Sequence, residues 1–174
     1  MTLLQVKNLD VFLKTDEELV HAVKDLSFTV EKGETLAIVG ESGSGKSVTS
    51  MAIMQLLPKN ITTFDKKSSV LFNGKELLDL SERQMRAIRG DKIAMIFQEP
   101  MTSLNPFVPI GKQVAEAVSI HSRSIGRSQA NKLALETLQK VKIPNADKKM
   151  TAYPHEFSGG QLQRIMIAMA IINK

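Results

Sequence analysis

Apolar and polar residues alternate along the first part of the chain in a way that predicts short β-strands. The segments 3–9 and 26–30 both alternate, which is typical of a strand with one buried face. The segment 35–39 is continuously apolar and ends at a glycine, which predicts a strand buried on both faces. Segments 70–74 and 92–97 also predict strands, the first running into a turn.

Other segments carry the spacing and boundary residues of helices. A helix is expected over 47–57, where Pro58 stops it. Ser81 is a suitable N-cap for a short basic helix that runs through Arg89. Longer helices are expected over 110–121 and from Ser128 to the residues before Pro144, where apolar positions recur at helical spacing.

The order of these elements predicts an α/β fold. We expect an α/β core over residues 1–98 and a helical subdomain over residues 99–157. Residues 158–174 form a last segment, in which Ser158 caps an apolar helix over 160–172.

Composition narrows the class of protein. With 174 residues, of which 43% are hydrophobic and 24% charged, the chain suits one domain with a buried core and not a disordered chain. The absence of cysteine excludes disulfides, cysteine-ligated zinc and thiol catalysis. The longest purely apolar run, 165–172, is too short to span a membrane, and no signal peptide is evident, so a cytoplasmic protein is expected.

The net charge of +5 permits an anionic partner but does not name one. Basic residues are scattered, and the chain has one tyrosine and no tryptophan to interleave with them. A solvated surface is therefore favoured over a nucleic-acid-binding face.

The strongest chemical motif is a glycine-rich loop between the strand 35–39 and the helix 47–57. It fits G-x-x-x-x-G-K-[ST]. Its residues are Gly40, Glu41, Ser42, Gly43, Ser44, Gly45, Lys46 and Ser47. Glycines let successive backbone N–H groups surround a phosphate, Lys46 adds positive charge for the β- and γ-phosphates, and Ser47 offers a hydroxyl to Mg²⁺.

Such a phosphate-binding loop occurs in kinases, GTPases, motors and transporters. Other segments of the sequence are therefore needed to distinguish these classes of protein. Gln98 follows a predicted strand and can direct its amide oxygen at Mg²⁺ or water, or serve as a hydrogen bonder within the loop. Ser158, Gly159 and Gly160 open a helix and allow a phosphate to approach its backbone closely. The chain thus has two helix starts that could bind phosphate, but only one of them has a loop with a lysine. This combination suggests a nucleotide held between two chains.

In these segments the chain resembles the ATP-binding subunits of ABC transporters. The loop at 40–47 resembles Walker A, Gln98 the Q-loop glutamine, and Phe157-Ser-Gly-Gly-Gln161 the LSGGQ signature, in matching order and spacing. The longer strings 98–106 and 153–160 resemble the dipeptide, oligopeptide and nickel importer subfamily.

The resemblance implies a P-loop ATPase whose subunits close head to tail in pairs, with ATP and Mg²⁺ as cofactors. It assigns catalytic roles to Lys46 and Gln98, Mg²⁺ contacts to Ser47 and Gln98, and ATP contacts to the whole loop 40–47. Ser158, Gly159, Gly160 and Gln161 would contact ATP bound by the partner. The implied partners are a second ATP-binding subunit, membrane-spanning permease subunits and, indirectly, a solute-binding protein, with no nucleic acid. The implied location is the cytoplasmic face of the membrane.

The sequence departs from the family in three places. The family has an aromatic residue near the first strand that stacks on adenine. Phe12 is a candidate for it, but the strand pattern places Leu13 at the position where the ring is expected. Phe157 replaces a leucine, for which we expect little effect. The family's strand ending in Asp-Glu does not occur before Lys174, and an amide such as that of Gln98 cannot act as general base. We therefore expect an α/β core incomplete at the C-terminus, and little or no hydrolysis by these 174 residues.

The sequence leaves two alternatives open. One is an ABC ATPase without a transport role, and the other is a nucleotide-binding module that does no catalysis. The solute, whether dipeptide, oligopeptide or nickel, and the choice between homodimer and heterodimer are also open.

Overall fold

The computed structural model describes residues 1–99, 103–122 and 124–173. The chain divides into two compact units, Met1–Met85 and Arg86–Lys174, which we call the sheet unit and the helical unit. The functional boundaries expected after residues 98 and 157 stay predictions.

The sheet unit is built on an antiparallel sheet of five strands. The strands are β1 Thr2–Lys14, β2 Leu19–Glu31, β3 Thr62–Phe64, β4 Ser69–Phe72 and β5 Lys75–Glu76. Their order is β2-β1-β4-β5, and β3 also pairs with β1. β1 is thus central: β2 follows it along one edge, whereas β4 and β3 pair with its residues 4–7 and 11–13 on the other.

The strand predicted over 3–9 is confirmed, and the structure adds a bulge that the alternation does not reveal. Val6 and Leu9 are both fully buried although they are three positions apart, a spacing that places two residues on opposite faces of a regular strand. Between them the register with β2 shifts, and Asn8 has a φ of +46°. The Asn8 N–H donates to the Ser27 hydroxyl at 2.8 Å instead of to a strand carbonyl. The bulge returns Leu9 to the core face.

Two helices accompany the sheet, α1 Lys46–Ile53 and α2 Glu82–Arg86. Both lie where the sequence predicts helices, but each ends earlier than expected. α2 starts directly after Ser81, whose backbone N–H and hydroxyl both donate to the Gln84 side-chain oxygen. The turn expected after the fourth strand is also confirmed, because Asn73 and Gly74 both have positive φ, as a tight hairpin requires.

The strands predicted over 35–39 and 92–97 are wrong. Neither segment is a strand, and the second contributes one isolated bridge between Arg89 and Ile93. Val39 is 87% exposed and Phe97 is 45% exposed, so the apolar runs are not buried on both faces. A parallel strand requires neighbouring strands for its N–H and C=O groups and cover on both faces. The described residues do not supply these to either segment.

The helical unit packs three longer helices around one core. Its elements are α3 Ile110–Ser119, α4 Arg127–Lys140, α5 Ala146–Lys149, a 3₁₀ turn Pro154–Glu156 and α6 Gly159–Ile171. The core residues from α3, α4 and α6 form one cluster that includes Val114, Leu138 and Leu162. The helices predicted from residue 110, residue 128 and residue 160 are confirmed within two residues at their starts. None of the described helices is long and apolar enough to cross a membrane.

Candidate functional site

The glycine-rich loop leads into α1 with a backbone that favours glycine at two positions. Gly43 has a φ of +83° and Gly45 a φ of +88°, in the left-handed region that residues with a Cβ rarely adopt. Between them the chain turns, and the Ser44 N–H donates to the Glu41 carbonyl at 3.2 Å. The loop predicted from the motif is therefore a tight turn directly before a helix.

Gly45 is restricted by its neighbours as well as by its dihedral angles. A Cβ placed on it would lie 2.5 Å from the Ala22 carbonyl oxygen of β2. A Cβ on Gly43 would meet nothing within 4 Å. The two glycines thus have different physical roles, since Gly43 permits a turn and Gly45 also permits close contact with the sheet.

The start of α1 leaves its backbone donors free of side-chain caps. Its N-cap is Gly45, and its first turn contains no acidic residue. The first N–H groups of a helix have no partner within the helix, and the helix dipole makes this end favourable for an anion. This end therefore has the donors and the electrostatic potential to bind an anion.

The Lys46 ammonium group lies on the loop itself. Its Nζ donates to the Gly40 carbonyl at 2.8 Å, the Glu41 carbonyl at 2.5 Å and the Ser44 hydroxyl at 3.2 Å. These three neutral acceptors use all three donors of the ammonium group and leave its charge without a counterion among them. The positive charge is therefore held at the loop, where a phosphate would meet it.

A cavity of about 510 Å³ lies beside the loop, within the sheet unit. From the loop it is lined by Gly40, Gly43, Ser44 and Lys46, and from α1 by Thr49. From β2 and the segment before the loop it is lined by His21, Ala22, Val23, Lys24, Leu26, Ile38 and Val39. Its size is within the usual range for a small-molecule site. The residues of β2 were missed by the sequence analysis.

His21 is held by two neighbours on β1. Its ring stacks on that of Phe12 with centroids 4.2 Å apart and planes 18° apart, and the two residues are cross-strand partners. Its Nε2 lies 2.5 Å from Asp10 Oδ1. The hydrogen bond from the Asp25 N–H, and then that from His21, hold the pKa of the Asp10 carboxyl below its ordinary value of 3.8. An ionised carboxylate only accepts, so Nε2 of His21 carries a hydrogen.

Gln98 lies in the helical unit, on an exposed bend. A shallow cavity of about 560 Å³ is lined by Phe97, Gln98, Glu99 and Ser103. The amide is thus accessible, as a residue that meets a ligand must be. Its predicted contact with Mg²⁺ stays a prediction.

The segment 158–161 forms the start of α6, where Ser158 is the N-cap as predicted. The Ser158 hydroxyl accepts from the Gln161 N–H at 3.4 Å, and the Gln161 side-chain oxygen accepts from the Ser158 N–H at 3.1 Å. This reciprocal pair is a capping box. Gly159 and Gly160 are exposed, and a Cβ on either would meet nothing within 4 Å. Their open surroundings permit the approach of another molecule to the backbone.

Phe157 packs into the helical core and is 8% exposed. The Lys149 ammonium group lies 4.9 Å from the centre of its ring and 3.5 Å from the Gln161 side-chain oxygen. The larger ring is therefore accommodated without exposing it.

Within the described ranges, no cluster of three or more histidine, aspartate or glutamate side chains is arranged to hold a metal ion.

A glycine-rich turn before an uncapped helix, with a lysine on the loop, defines a P-loop protein. The chain belongs to the ABC transporter family, which matches residues 23–174. The resemblance drawn from the sequence is thereby confirmed.

The relatives and solved structures are consistent with this assignment. The chain is 52% identical over 169 residues to the oligopeptide transport ATP-binding protein OppD of Bacillus subtilis (strain 168), covering 97% of this chain and 47% of that protein. It is 49% identical over 168 residues to the dipeptide transport ATP-binding protein DppD of Lactococcus lactis subsp. cremoris (strain MG1363), covering 97% and 48%. It spans about half the length of these curated relatives.

A dimeric post-hydrolysis structure of the ATP-binding cassette MJ0796, bound to ADP and Pi, is similar with a TM-score of 0.84 at 29% identity. The match covers 98% of this chain and 69% of that one. The α/β P-loop fold of an ABC cassette is thus confirmed, although two of the predicted strands are not formed.

Proposed function

We propose that this chain binds ATP through the loop Gly40–Ser47, as part of the ATP-binding subunit of an ABC importer for peptides. The observation that carries the proposal is the loop itself, in which two positive-φ glycines, an uncapped helix start and the Lys46 ammonium group converge beside one cavity. A triphosphate fits this combination because it is an anion that accepts hydrogen bonds on many oxygens.

Each loop residue has a distinct role in this proposal. The backbone N–H groups of 40–47 surround the phosphates, and Lys46 exchanges its three loop acceptors for the β- and γ-phosphate oxygens. Ser47 is exposed in the first turn of α1, where its hydroxyl can meet Mg²⁺. Gln98, exposed on its bend, is the proposed second Mg²⁺ contact.

Hydrolysis needs a group that orients or deprotonates water. None of the described residues that line the cavity carries a carboxylate. We therefore propose that the chain 1–174 binds ATP and turns it over slowly or not at all. The whole protein would couple binding and hydrolysis to transport.

The proposed partners follow from the relatives. OppD and DppD are named for oligopeptide and dipeptide transport, and the MJ0796 structure is a dimer. By analogy we propose a second ATP-binding subunit that meets Ser158, Gly159, Gly160 and Gln161, and permease subunits at the cytoplasmic face of the membrane. A solute-binding protein would act indirectly, and nickel is a further candidate solute. The relatives favour this proposal over an ABC ATPase without a transport role.

ATP binding can be tested by titrating the purified chain with a fluorescent ATP analogue, in the presence of Mg²⁺, and competing it off with unlabelled ATP. Lys46→Ala should weaken binding at least about ten-fold, because charge-assisted hydrogen bonds contribute about 1.5–3 kcal/mol each. Lys66→Ala, on an exposed turn of the same unit, is the matched control and should bind as the unaltered chain does.

Circular dichroism should show that both variants keep the helical content of the unaltered chain. Equal affinity of the two variants, with both folded, would refute a role for the loop. Measurable turnover that Lys46→Ala abolishes would refute the proposal that this chain is nearly inactive.

A further inference from the structure

We propose that His21 is the platform on which the base of the bound nucleotide stacks. The proposal rests on the proposed function, because it needs the phosphates to lie on the loop 40–47. It assigns base recognition to a residue of β2 rather than to Phe12 or Leu13 of β1.

His21 borders the same cavity as the phosphate loop. The cavity extends from Gly43, Ser44 and Lys46 to β2. Among the described residues that line it, His21 is the one with an aromatic ring. Phe12 and Leu13 are not part of the lining. A nucleotide with its phosphates on the loop therefore meets one flat ring within the cavity, and that ring is the imidazole.

The imidazole ring is held in one orientation before any ligand arrives. Phe12 packs against one face at 4.2 Å, and Asp10 accepts a hydrogen bond from Nε2 at 2.5 Å. Asp10 is itself fixed, because its Oδ1 also accepts the Asp25 N–H at 3.1 Å. About a third of the His21 side chain remains exposed. A ring that is already ordered loses little conformational entropy when a base stacks on it.

The chemistry of this arrangement favours stacking over reading of the base edge. Nε2, one of the two ring nitrogens, is already used by Asp10. Base stacking on an aromatic ring tolerates any base, since every base has a π-face. We therefore expect His21 to add affinity for a nucleotide over the bare triphosphate, with little preference between purines.

The competing explanation is that His21 only ties β1 to β2 through Phe12 and Asp10. That role would change stability and would weaken every ligand of the loop alike. The comparison of ATP with inorganic tripolyphosphate separates the two explanations, because tripolyphosphate has no base to stack.

The experiment measures the affinity of the full chain for ATP and for tripolyphosphate, both by competition against a fluorescent ATP analogue. His21→Leu and His21→Phe are the informative pair, since both side chains can pack on Phe12 but only phenylalanine keeps a flat ring. His155→Leu is the matched control, because His155 also stacks on an aromatic neighbour, Tyr153, but lies exposed in the helical unit.

We expect His21→Leu to weaken ATP binding about ten-fold, in keeping with alanine substitutions of base-stacking aromatics. Its affinity for tripolyphosphate should stay within a factor of two of the unaltered chain. His21→Phe should restore ATP affinity, and His155→Leu should change neither ligand.

Equal ATP affinity of the His21→Leu and His21→Phe variants would overturn the platform while leaving the phosphate loop intact. Parallel losses for ATP and tripolyphosphate would overturn it in favour of the structural role. If the unaltered chain binds neither ligand, the proposed function fails first and the platform fails with it.

Discussion

The two glycine-rich helix starts of this chain share a composition but differ in how their backbone donors are used. At α1 the N-cap is Gly45, no side chain caps the helix, and the glycine lies against Ala22 of β2. At α6 the N-cap is Ser158, which forms a capping box with Gln161, and the neighbouring glycines face open space. The first start depends on glycine for its shape, whereas the second depends on a serine.

This difference indicates how each start can meet a phosphate. The α1 start has unused N–H groups and a lysine whose charge has no counterion among its loop partners, so it can hold an anion by itself. At the α6 start the Gln161 N–H is already bonded to the Ser158 hydroxyl, so fewer donors remain. We infer that α6 adds contacts to a nucleotide that is held elsewhere. Three of four predictions test this difference, and the other concerns the stability of the sheet unit that contains the α1 start; they run from the largest expected effect to the smallest.

Replacing Gly45 with alanine should have the largest effect. The change puts a Cβ 2.5 Å from the Ala22 carbonyl oxygen at a φ of +88°, so the loop must move. Gly43→Ala is the matched control, because it carries a similar φ of +83° without the close contact. The positive φ alone should cost about 1–2 kcal/mol in the free energy of unfolding, and Gly45→Ala should cost at least about 1 kcal/mol more.

Urea unfolding of the two variants measures the difference, and an ATP titration should show at least a ten-fold loss for Gly45→Ala, estimated as about 1.4 kcal/mol of lost binding energy. If both glycines tolerate alanine equally, Gly45 permits a turn in the same way as Gly43, and the proposed contact with the sheet is wrong.

A second prediction concerns the pH dependence of the sheet unit. Burial by itself would raise the pKa of Glu76, but hydrogen bonds from the Ser69 hydroxyl and from the Val70 and Leu78 N–H groups lower it below 4.5 overall. A group with a lowered folded pKa stabilises the fold above its unfolded pKa, and this contribution is lost as pH falls through the folded value. Stability should therefore decline below about pH 5.

Glu76→Gln should remove about 1–2 kcal/mol at neutral pH, because the hydrogen bonds from Ser69, Val70 and Leu78 then lose their charged acceptor. It should also flatten this acid dependence, because an amide does not titrate. Glu17→Gln, in the exposed segment between β1 and β2, is the control and should keep the slope of the unaltered chain. The measurement is the urea midpoint between pH 3 and pH 7. An unchanged slope in Glu76→Gln would show that other carboxyl groups dominate.

The sequence alone predicts the features that depend on local spacing. The glycine-rich turn before α1, the turn at Asn73 and Gly74, and the Ser158 cap are all predicted from residues close together in the sequence, and the structure has each of them. Features that depend on distant partners are not predicted. The bulge at Asn8 needs Ser27, and the entry of His21 into the cavity needs the pairing of β1 with β2.

The same reason explains the two wrong strands. An apolar run such as 35–39 indicates that the side chains of the segment should be buried. The backbone hydrogen bonds of a parallel strand, however, come from other segments of the chain. In the described structure Leu162 and Ile165 of α6 are fully buried, whereas Val39 is 87% exposed. A helix satisfies most of its own backbone hydrogen bonds, whereas a strand needs neighbouring strands for them.

The third prediction addresses the cap of α6. Ser158→Ala removes the acceptor of the Gln161 N–H and should lower the free energy of unfolding by about 0.5–1 kcal/mol, at the low end for an N-cap because this hydrogen bond is long at 3.4 Å. Ser119→Ala is the control: Ser119 lies at the end of α3, where its hydroxyl donates to the Ala115 carbonyl and caps no helix start.

The affinity of the monomeric chain for ATP should not change in Ser158→Ala, since the proposed loop site lies in the sheet unit and α6 is proposed to meet only a nucleotide held by a partner subunit. A loss of ATP affinity in this variant, without a loss of helical content, would contradict the inference that the α1 start holds the nucleotide by itself.

The smallest expected effect is that of Gly159→Ala. Gly159 is the first residue of α6, a Cβ there meets nothing within 4 Å, and its φ is not positive. The free energy of unfolding should therefore change by less than about 0.5 kcal/mol, with a gain more expected than a loss because alanine restricts the unfolded chain. Urea unfolding of Gly159→Ala and Gly45→Ala under the same conditions compares the free energies of unfolding for substitutions at the two helix starts. A loss above about 1 kcal/mol would mean that α6 also needs glycine for its shape, and the distinction between the two starts would fail. A neutral result would leave access to the backbone by a second molecule as the physical reason for a glycine at this position.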